Sequence, residues 1–311
     1  MQTPSFTNHT SQRISAQWAV IFYFLLLTAV MNQALGQEMV AKAKSTSGSI
    51  PFEKTTDNRI ALMATYRDVS FPMVLDSYAL FSALPEAWVK NWKLPKTPYI
   101  YTTRDFQNKR RKVKLRLMDS LLVAGQFEAS KFYVNPKKVL NTFEVGFLGT
   151  DFLNDYNWKI DFGGGTLYFD ESPFRAREDD IRNTFGKNEF PWFEVSIGNA
   201  SQRATVDLGA HTALSFPVQS RMGEYLLKKY NPSPQVVTTG GANSLNVTDT
   251  QYTILVDSIL IQGKRFENVP VRLSQNTRVS FIGCQFLERG ALILNYKTNQ
   301  QEEREVAFRV L

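Results

Sequence analysis

The chemistry open to this chain is limited by the side chains that it lacks. Its 311 residues include two histidines, His9 and His211, and one cysteine, Cys284. A disulfide within the chain and a structural zinc site made of Cys and His clusters are therefore excluded by count. Carboxyl groups are abundant, and two of them, Asp76 and Asp207, each end an apolar run. Two carboxyl groups held about 3 Å apart cannot both ionise, so such a pair shares a proton and divides into an acid and a base.

Three sequence landmarks occur in the same order in both halves of the chain, which indicates an internal duplication. They are the aspartate loops Asp76-Ser77-Tyr78-Ala79 and Asp207-Leu208-Gly209-Ala210, the steps Asp119-Ser120 and Asp257-Ser258, and the apolar-glycine steps Phe147-Leu148-Gly149 and Phe281-Ile282-Gly283. From aspartate to landmark glycine the distance is 73 positions in the first half and 76 in the second. Spacing this regular predicts two similar lobes.

Short strand-like runs separated by turn residues dominate the chain, and convincing helical segments are few. We predict two β-rich lobes, residues 51–172 and 188–311, joined by a charged connector at residues 173–187. Residues 37–50 form an N-terminal lead-in that has no clear periodicity of apolar residues. A length of 311 residues also suits two domains better than one.

The first 36 residues have the pattern of a secretory signal peptide. Arg13 precedes an uncharged apolar run from Trp18 to Met31, and small residues follow at a plausible cleavage-site spacing. The run is shorter than the stretch of about 20 residues that a membrane-spanning helix needs. We therefore expect cleavage near Gly36 rather than a retained anchor, no stable membrane span after cleavage, and an exported protein in which His211 is the remaining histidine.

The landmarks resemble the lobes of pepsin-like and retropepsin-like aspartic proteases. Proteins of that family have an aspartate at the end of an apolar strand, followed by a hydroxyl residue and glycine, and later an apolar-apolar-glycine step. The steps Phe147-Leu148-Gly149 and Phe281-Ile282-Gly283 are similar to this second hallmark. The resemblance covers nearly all of the chain after the signal. It implies an all-β fold of two similar acid-protease-type β-barrel lobes, related by a pseudo-twofold axis, with few short helices.

The resemblance also implies where the site lies. One catalytic aspartate from each lobe, Asp76 and Asp207, is expected to meet the other in a cleft. One carboxyl group activates a water molecule while the other protonates the carbonyl oxygen of the scissile peptide, with no metal and no cofactor. A β-hairpin flap covers the cleft in this family. In the first lobe it corresponds to the segment from Tyr99 to Leu117, so Tyr99 and Tyr101 are expected to contact substrate.

Both aspartate loops depart from the family's pattern, and each departs differently. The first loop keeps the hydroxyl group as Ser77 but has Tyr78 where the family has glycine, a residue that lets two backbones approach closely. The second loop keeps Gly209 but has Leu208 where the family has the hydroxyl residue that braces the loop against the opposite lobe. Two functions stay open: an aspartic endopeptidase acting on peptides or unfolded proteins, and a catalytically inactive protein that binds peptides or proteins in the same cleft.

Cys284 and His211 raise the alternative of a Cys-His nucleophile. On the repeat, however, Cys284 takes the position of Thr150, directly after the landmark glycine, and His211 takes that of Leu80. We therefore expect a structural role for Cys284 and a structural or cleft-edge role for His211.

The net charge of +7 does not by itself indicate a nucleic-acid partner. The dense basic run Lys109–Arg116 alternates basic and apolar residues from Lys112 onward, which predicts a half-buried strand near a hairpin tip. We expect no nucleic acid as a partner.

Because one chain carries both aspartates, a monomer is sufficient to form the pair. The lack of disulfides favours a bacterial source and a periplasmic or secreted protein.

Overall fold

The computed structural model describes residues 42–104, 110–241, 244–297 and 303–310. The predicted signal peptide and the tip of the predicted flap, residues 105–109, lie outside the described residues. Strands dominate the described part, and its α-helices are four short ones: α1 (Glu86–Asn91), α2 (Thr150–Leu153), α3 (Arg221–Tyr230) and α4 (Cys284–Leu287), with a 3₁₀ helix at Lys138–Thr142. The prediction of an all-β fold with few short helices is confirmed.

The strands of the first half form one curled sheet and part of a second sheet. In chain order they are β1 (Lys42–Ala43), β2 (Ser47–Pro51), β3 (Glu53–Lys54), β4 (Ile60–Tyr66), β5 (Val69–Leu75), β6 (Ala83–Pro85), β7 (Lys96–Arg104), β8 (Arg110–Met118), β9 (Leu121–Val123), β10 (Phe127–Ala129), β11 (Phe132–Lys137), β12 (Gly146–Leu148), β13 (Asn157–Asp161) and β14 (Thr166–Asp170). Neighbours in the curled sheet follow the order β9-β4-β5-β12-β6-β11-β8-β7. Only Asp119 and Ser120 separate β8 from β9, so the sheet curls back towards itself.

The second half contains a closed barrel. Its strands are β15 (Ile181–Gly186), β16 (Trp192–Ile197), β17 (Ala200–Val206), β18 (Leu214–Pro217), β19 (Gln235–Gly241), β20 (Ser244–Ile261), β21 (Lys264–Ser274), β22 (Phe281–Ile282), β23 (Gly290–Asn295) and β24 (Glu303–Val310). The order β16-β17-β22-β18-β21-β20 closes because β20 also pairs with β16. Here the Asp257-Ser258 step lies within one long strand instead of interrupting it.

Strand pairing in the two halves matches step by step. β12 lies parallel to β5 and antiparallel to β6, as β22 lies parallel to β17 and antiparallel to β18. β11 runs parallel to β6, and β21 runs parallel to β18. The duplication inferred from the sequence landmarks is therefore present in the topology.

A six-stranded sheet, in the order β2-β14-β13-β23-β24-β15, joins the two halves. Its central pair is antiparallel, with Asn157 opposite Asn295 and Asp161 opposite Ala291. β2 includes residues of the predicted lead-in, and β15 lies inside the predicted connector. Each segment thus contributes a strand to the sheet: β2 pairs with the outer edge of β14, and β15 pairs with the outer edge of β24.

Alternation of buried and exposed side chains explains most of these strands. In β4, for example, Ile60, Leu62 and Ala64 point into the main hydrophobic core. The strand predicted for the basic run is confirmed as β8, in which Leu115 is buried and Lys114 is exposed. No described helix is long and apolar enough to cross a membrane.

Candidate functional site

Asp76 lies directly after β5, where three backbone hydrogen bonds fix it. Its N–H donates to the Leu148 carbonyl oxygen (2.8 Å), and its own carbonyl oxygen accepts from the Ala79 N–H (3.3 Å). The Tyr78 N–H donates to the Oδ1 atom of its carboxyl group (3.0 Å). The loop therefore holds both the backbone and the carboxyl group of Asp76.

Asp207 follows β17 and has the equivalent three bonds. Its N–H donates to the Ile282 carbonyl oxygen (2.9 Å), and its carbonyl oxygen accepts from the Ala210 N–H (3.2 Å). The Gly209 N–H donates to Oδ1 of its carboxyl group (2.8 Å). The duplicated sequence thus builds the same loop twice, each loop ending on an aspartate.

The landmark glycines are followed by residues that secure these loops. The Thr150 N–H donates to the Ala79 carbonyl oxygen (2.7 Å), and the Cys284 N–H donates to the Ala210 carbonyl oxygen (2.9 Å). This shared contact explains why the aspartate and the glycine landmark recur together: each pair forms one structural unit.

The two loops meet each other at Gly209. A Cβ atom built on Gly209 would lie 2.7 Å from Cγ of Asp76 and 2.9 Å from its Oδ2. The carboxyl group of the first loop therefore packs against the backbone of the second loop, beside Asp207. This contact brings the two predicted site aspartates into one neighbourhood.

Burial and mutual charge set the electrostatics of the pair. Burial raises the pKa of Asp76, and the positive charge of Lys137 together with two backbone N–H groups opposes that rise. Burial raises the pKa of Asp207 well above its usual range, and the negative charge of Asp76 adds to the effect. The pair therefore favours a state in which it holds one proton, which is the state that acid-base chemistry by two carboxyl groups needs.

Ser77 connects the loops in the way that the sequence predicted. Its buried Oγ donates to the Val206 carbonyl oxygen (2.7 Å) and accepts from the Leu208 N–H (3.0 Å). Leu208 has no hydroxyl group that could form the equivalent hydrogen bonds from the second loop to the first, and its side chain lies in the hydrophobic core. The bracing between the loops therefore depends on one hydroxyl group.

Tyr78 occupies the position that Gly209 holds in the second loop. Its half-buried ring packs against Phe190 with centroids 4.5 Å apart. Burial and the charges of Asp207 and Asp76 raise the pKa of its phenol, so the hydroxyl group stays protonated near the two carboxyl groups.

The two flap tyrosines lie in different surroundings. The Tyr101 hydroxyl accepts a hydrogen bond from Nδ2 of Asn135 (2.7 Å), and its ring lies 4.5 Å from that of Phe81, which belongs to the segment after Asp76. Tyr99 packs against Tyr133 instead, with centroids 5.2 Å apart. Tyr101 thus contacts the chain segment that follows the first aspartate loop.

Cys284 has the structural surroundings expected for it. Its thiol is buried and donates to the Leu208 carbonyl oxygen (3.2 Å), and burial strongly raises its pKa. His211 follows the second aspartate loop directly, and its pKa is lowered by desolvation and by the charge of Arg272. A protonated thiol held by a backbone carbonyl is a poor nucleophile.

Three charged residues near the site were missed by the sequence reasoning. Lys137 acts on Asp76, and Arg59 acts on Asp76 and Asp207. Asp151 is half-buried and accepts from the N–H and the hydroxyl group of Ser82, and desolvation raises its pKa to about 7. One signal was available for Asp151: it follows the landmark Gly149, where the second half has Gln285.

No protein-family model matches the chain, and no curated protein matches it either. Among the described residues there is no group of three or more His, Cys, Asp or Glu side chains that could hold a metal ion.

Proposed function

We propose that the protein is an aspartic-type endopeptidase, similar to the pepsin-like and retropepsin-like class, in which Asp76 and Asp207 hydrolyse a peptide bond. One observation carries the proposal: the two duplicated loops hold their aspartates by the same three hydrogen bonds, and the Asp76 carboxyl group packs against Gly209 beside Asp207. The sequence landmarks independently support the same class.

The reaction needs one proton shared by two carboxyl groups. The ionised group takes a proton from a water molecule as the water oxygen attacks the peptide carbonyl carbon, and the protonated group gives its proton to the carbonyl oxygen. When the tetrahedral intermediate collapses, the C–N bond breaks, the protonated carboxyl group gives its proton to the amine nitrogen, and a hydroxyl group of the intermediate gives its proton to the other carboxylate. Water is consumed, and the carboxyl pair returns to its singly protonated state.

A peptide or an unfolded segment of a protein is the substrate that we propose, bound between the loops and the flap strands β7 and β8. We place the protein outside the cytoplasm, in a bacterial periplasm or the surrounding medium, because of the signal-peptide pattern. One chain supplies both aspartates, so we propose that the monomer is the active form.

The test is cleavage of an unfolded protein such as casein from acidic to neutral pH. We expect Asp76→Asn and Asp207→Asn each to lower kcat/KM by roughly 10²-fold or more, since each removes one partner of the acid-base pair. Asp257→Asn is the matched control, because Asp257 is also a repeated landmark aspartate but is exposed. Wild-type cleavage that survives in either loop variant would rule out the carboxyl pair.

A second function is favoured by Tyr78 and Leu208, which replace the glycine and the hydroxyl residue of the family's pattern. A protein with these changes that no longer hydrolyses peptides would still offer the cleft to a bound peptide or protein. In that case wild-type protein binds labelled casein without cleaving it, and Asp76→Asn leaves the Kd unchanged. Appearance of cleavage in Tyr78→Gly would then identify the ring as the cause of inactivity.

A further inference from the structure

The sheet that carries Asp207 has one face in the core and one face outside it. One residue from each of β17, β22, β18 and β21 enters the main hydrophobic core: Val206, Ile282, Leu214 and Val271. Because side chains alternate along a strand, the residues next to these point to the other face. Register pairing places four of them in one row across the sheet: Thr205, Phe281, Ser215 and Arg272. Asp207 follows Thr205 by two positions, so it lies on the same face.

The equivalent row in the first half has different side chains. In the same register it consists of Val74, Phe147, Ala83 and Asn135. The first three belong to a separate apolar cluster, and Nδ2 of Asn135 donates to the Tyr101 hydroxyl group (2.7 Å). Where the first half has alanine and asparagine, the second half has Ser215 and Arg272. The duplicated frame therefore carries a hydroxyl group and a cation at these two positions in its second half.

Ser215 and Arg272 have buried polar atoms without protein partners. Arg272 is half-buried, and its buried Nε atom has no hydrogen-bond partner. Its guanidinium group forms no ion pair with any other residue that the structure describes. Ser215 is 0% exposed, and its Oγ atom also has no hydrogen-bond partner. Buried polar groups in proteins are nearly always hydrogen-bonded, so two such exceptions side by side on one face indicate a binding site.

Asp249 is the described acidic residue whose charge acts on Arg272, and its carboxyl group has other partners. Burial lowers the pKa of Arg272, and the charge of Asp249 opposes that fall. The buried Asp249 carboxyl group accepts hydrogen bonds from the Ser274 hydroxyl group (2.7 Å), from Nε2 of Gln251 (2.8 Å) and from the Asn276 N–H (3.1 Å). The donors of Arg272 are therefore left for an anion from outside the chain.

The row is open to solvent beside Arg272 and within reach of a substrate at Asp207. The register partner of Arg272 on β20 is Thr253, which is exposed. From β17 to β21 the row crosses three strand spacings, or about 14 Å. An extended peptide covers about 3.3 Å per residue. A substrate held at Asp207 therefore reaches Arg272 with a residue within about five positions of the scissile bond.

We propose that Arg272 and Ser215 form a subsite that binds a carboxylate of the substrate, so that the protein selects peptides with an aspartate or glutamate near the cleaved bond. The planar guanidinium group presents paired N–H donors that match the two oxygens of a carboxylate. The serine hydroxyl group supplies a further donor. The choice of cleavage site rests on the proposed endopeptidase function, whereas the binding of a carboxylate by Arg272 does not.

Cleavage of a library of end-capped peptides with random sequences tests the subsite, because capping removes the terminal charges. Mass spectrometry of the products locates each cleaved bond. We expect aspartate and glutamate to occur at least about tenfold more often than asparagine and glutamine at one fixed position within about five residues of the cut. Arg272→Met should abolish this preference, and Arg272→Lys, which keeps the charge, should retain part of it. Arg265→Met is the matched control, because Arg265 is an exposed arginine on the same strand.

Ser215→Ala is a second variant that the fold should accept, since Ala83 holds the equivalent position in the first half. It removes one donor and should lower the acidic preference by roughly threefold with an unchanged Tm. Calorimetric titration in the Asp76→Asn background measures binding without cleavage. Of two capped alanine-rich peptides, the one with a single glutamate should bind at least about tenfold more tightly than the one with a single glutamine. Arg272→Met should remove this difference.

The two readouts separate the subsite from the endopeptidase. If wild-type protein cleaves without an acidic preference, or if Arg272→Met retains that preference, the subsite is overturned and the endopeptidase stands. If wild-type protein cleaves nothing, but Arg272→Met removes a tighter binding of the glutamate peptide, the endopeptidase fails and the carboxylate site stands. Equal binding of the two peptides in a protein that cleaves nothing overturns both.

Discussion

Gly209 supports the carboxyl group of Asp76 from the opposite loop. The absence of a side chain at residue 209 lets Cγ of Asp76 come within 2.7 Å of the place where a Cβ atom would be. Tyr78, the equivalent residue of the first loop, carries a side chain, so Asp207 cannot have the same support. The two aspartates therefore have unequal surroundings within a duplicated frame.

The contact predicts the effect of Gly209→Ala. The added methyl group forces the Asp76 carboxyl group or the loop backbone to move, and displacements of this size near reacting groups cost about 10²-fold in rate. We expect kcat/KM for casein cleavage to fall by about that factor with a small change in Tm. Gly186→Ala is the matched control, because its Cβ atom meets Glu189 at an ordinary 3.6 Å. Full activity in Gly209→Ala would show that the contact does not position Asp76.

Ser77 is predicted to matter for stability as well as for the site. Ser77→Ala leaves the Val206 carbonyl oxygen and the Leu208 N–H without their partner, and an unsatisfied buried group costs about 1–3 kcal/mol. Urea denaturation should show a loss of at least about 2 kcal/mol in the free energy of unfolding. Ser77→Thr retains the hydroxyl group and should restore most of it, and exposed Ser70→Ala should stay within about 0.5 kcal/mol of wild type. An unchanged Ser77→Ala variant would contradict the bracing.

Asp151 predicts a dependence of stability on pH. Its pKa in the folded protein is raised from 3.8 to about 7 by burial, so between these values the folded chain holds a proton that the unfolded chain releases. The stabilisation is complete below about pH 4 and is lost as pH rises through about 7, by up to about 4 kcal/mol. Asp151→Asn should therefore flatten the fall in the free energy of unfolding across this range. Exposed Asp257→Asn should keep the wild-type slope, and equal slopes in wild type and Asp151→Asn would refute the prediction.

Cys284 predicts resistance to thiol reagents. Because the thiol is buried and protonated, iodoacetamide should label it in urea but not in the native protein, as measured by mass spectrometry. Casein cleavage should continue unchanged after such treatment of the native protein. Rapid labelling with loss of cleavage would instead revive the thiol nucleophile.

The sequence was sufficient for the fold class and the duplicated landmarks, because both depend on local patterns. An aspartate after an apolar strand and a glycine 73 or 76 positions later are visible without coordinates. The sequence also predicted the bracing role of Ser77, through the family resemblance. These predictions succeeded because the structural role of each of these residues follows from its type and its local sequence.

Prediction was weaker where distant strands determine the surroundings of a residue. The strand β15 lies in a charged segment that looked like a connector, since its pairing with β24 depends on residues more than a hundred positions away. Tyr99 and Tyr101 are two positions apart, yet their side chains meet different partners.

The central ladder of the six-stranded sheet also limits how the molecule can open. Five consecutive register pairs connect β13 to β23, from Asn157 with Asn295 to Asp161 with Ala291. A hinge usually consists of a few loop residues that absorb a change in backbone angles, but here the halves share a sheet. A rotation of one half against the other would therefore bend or break these five register pairs, so large movements between the two halves are energetically costly.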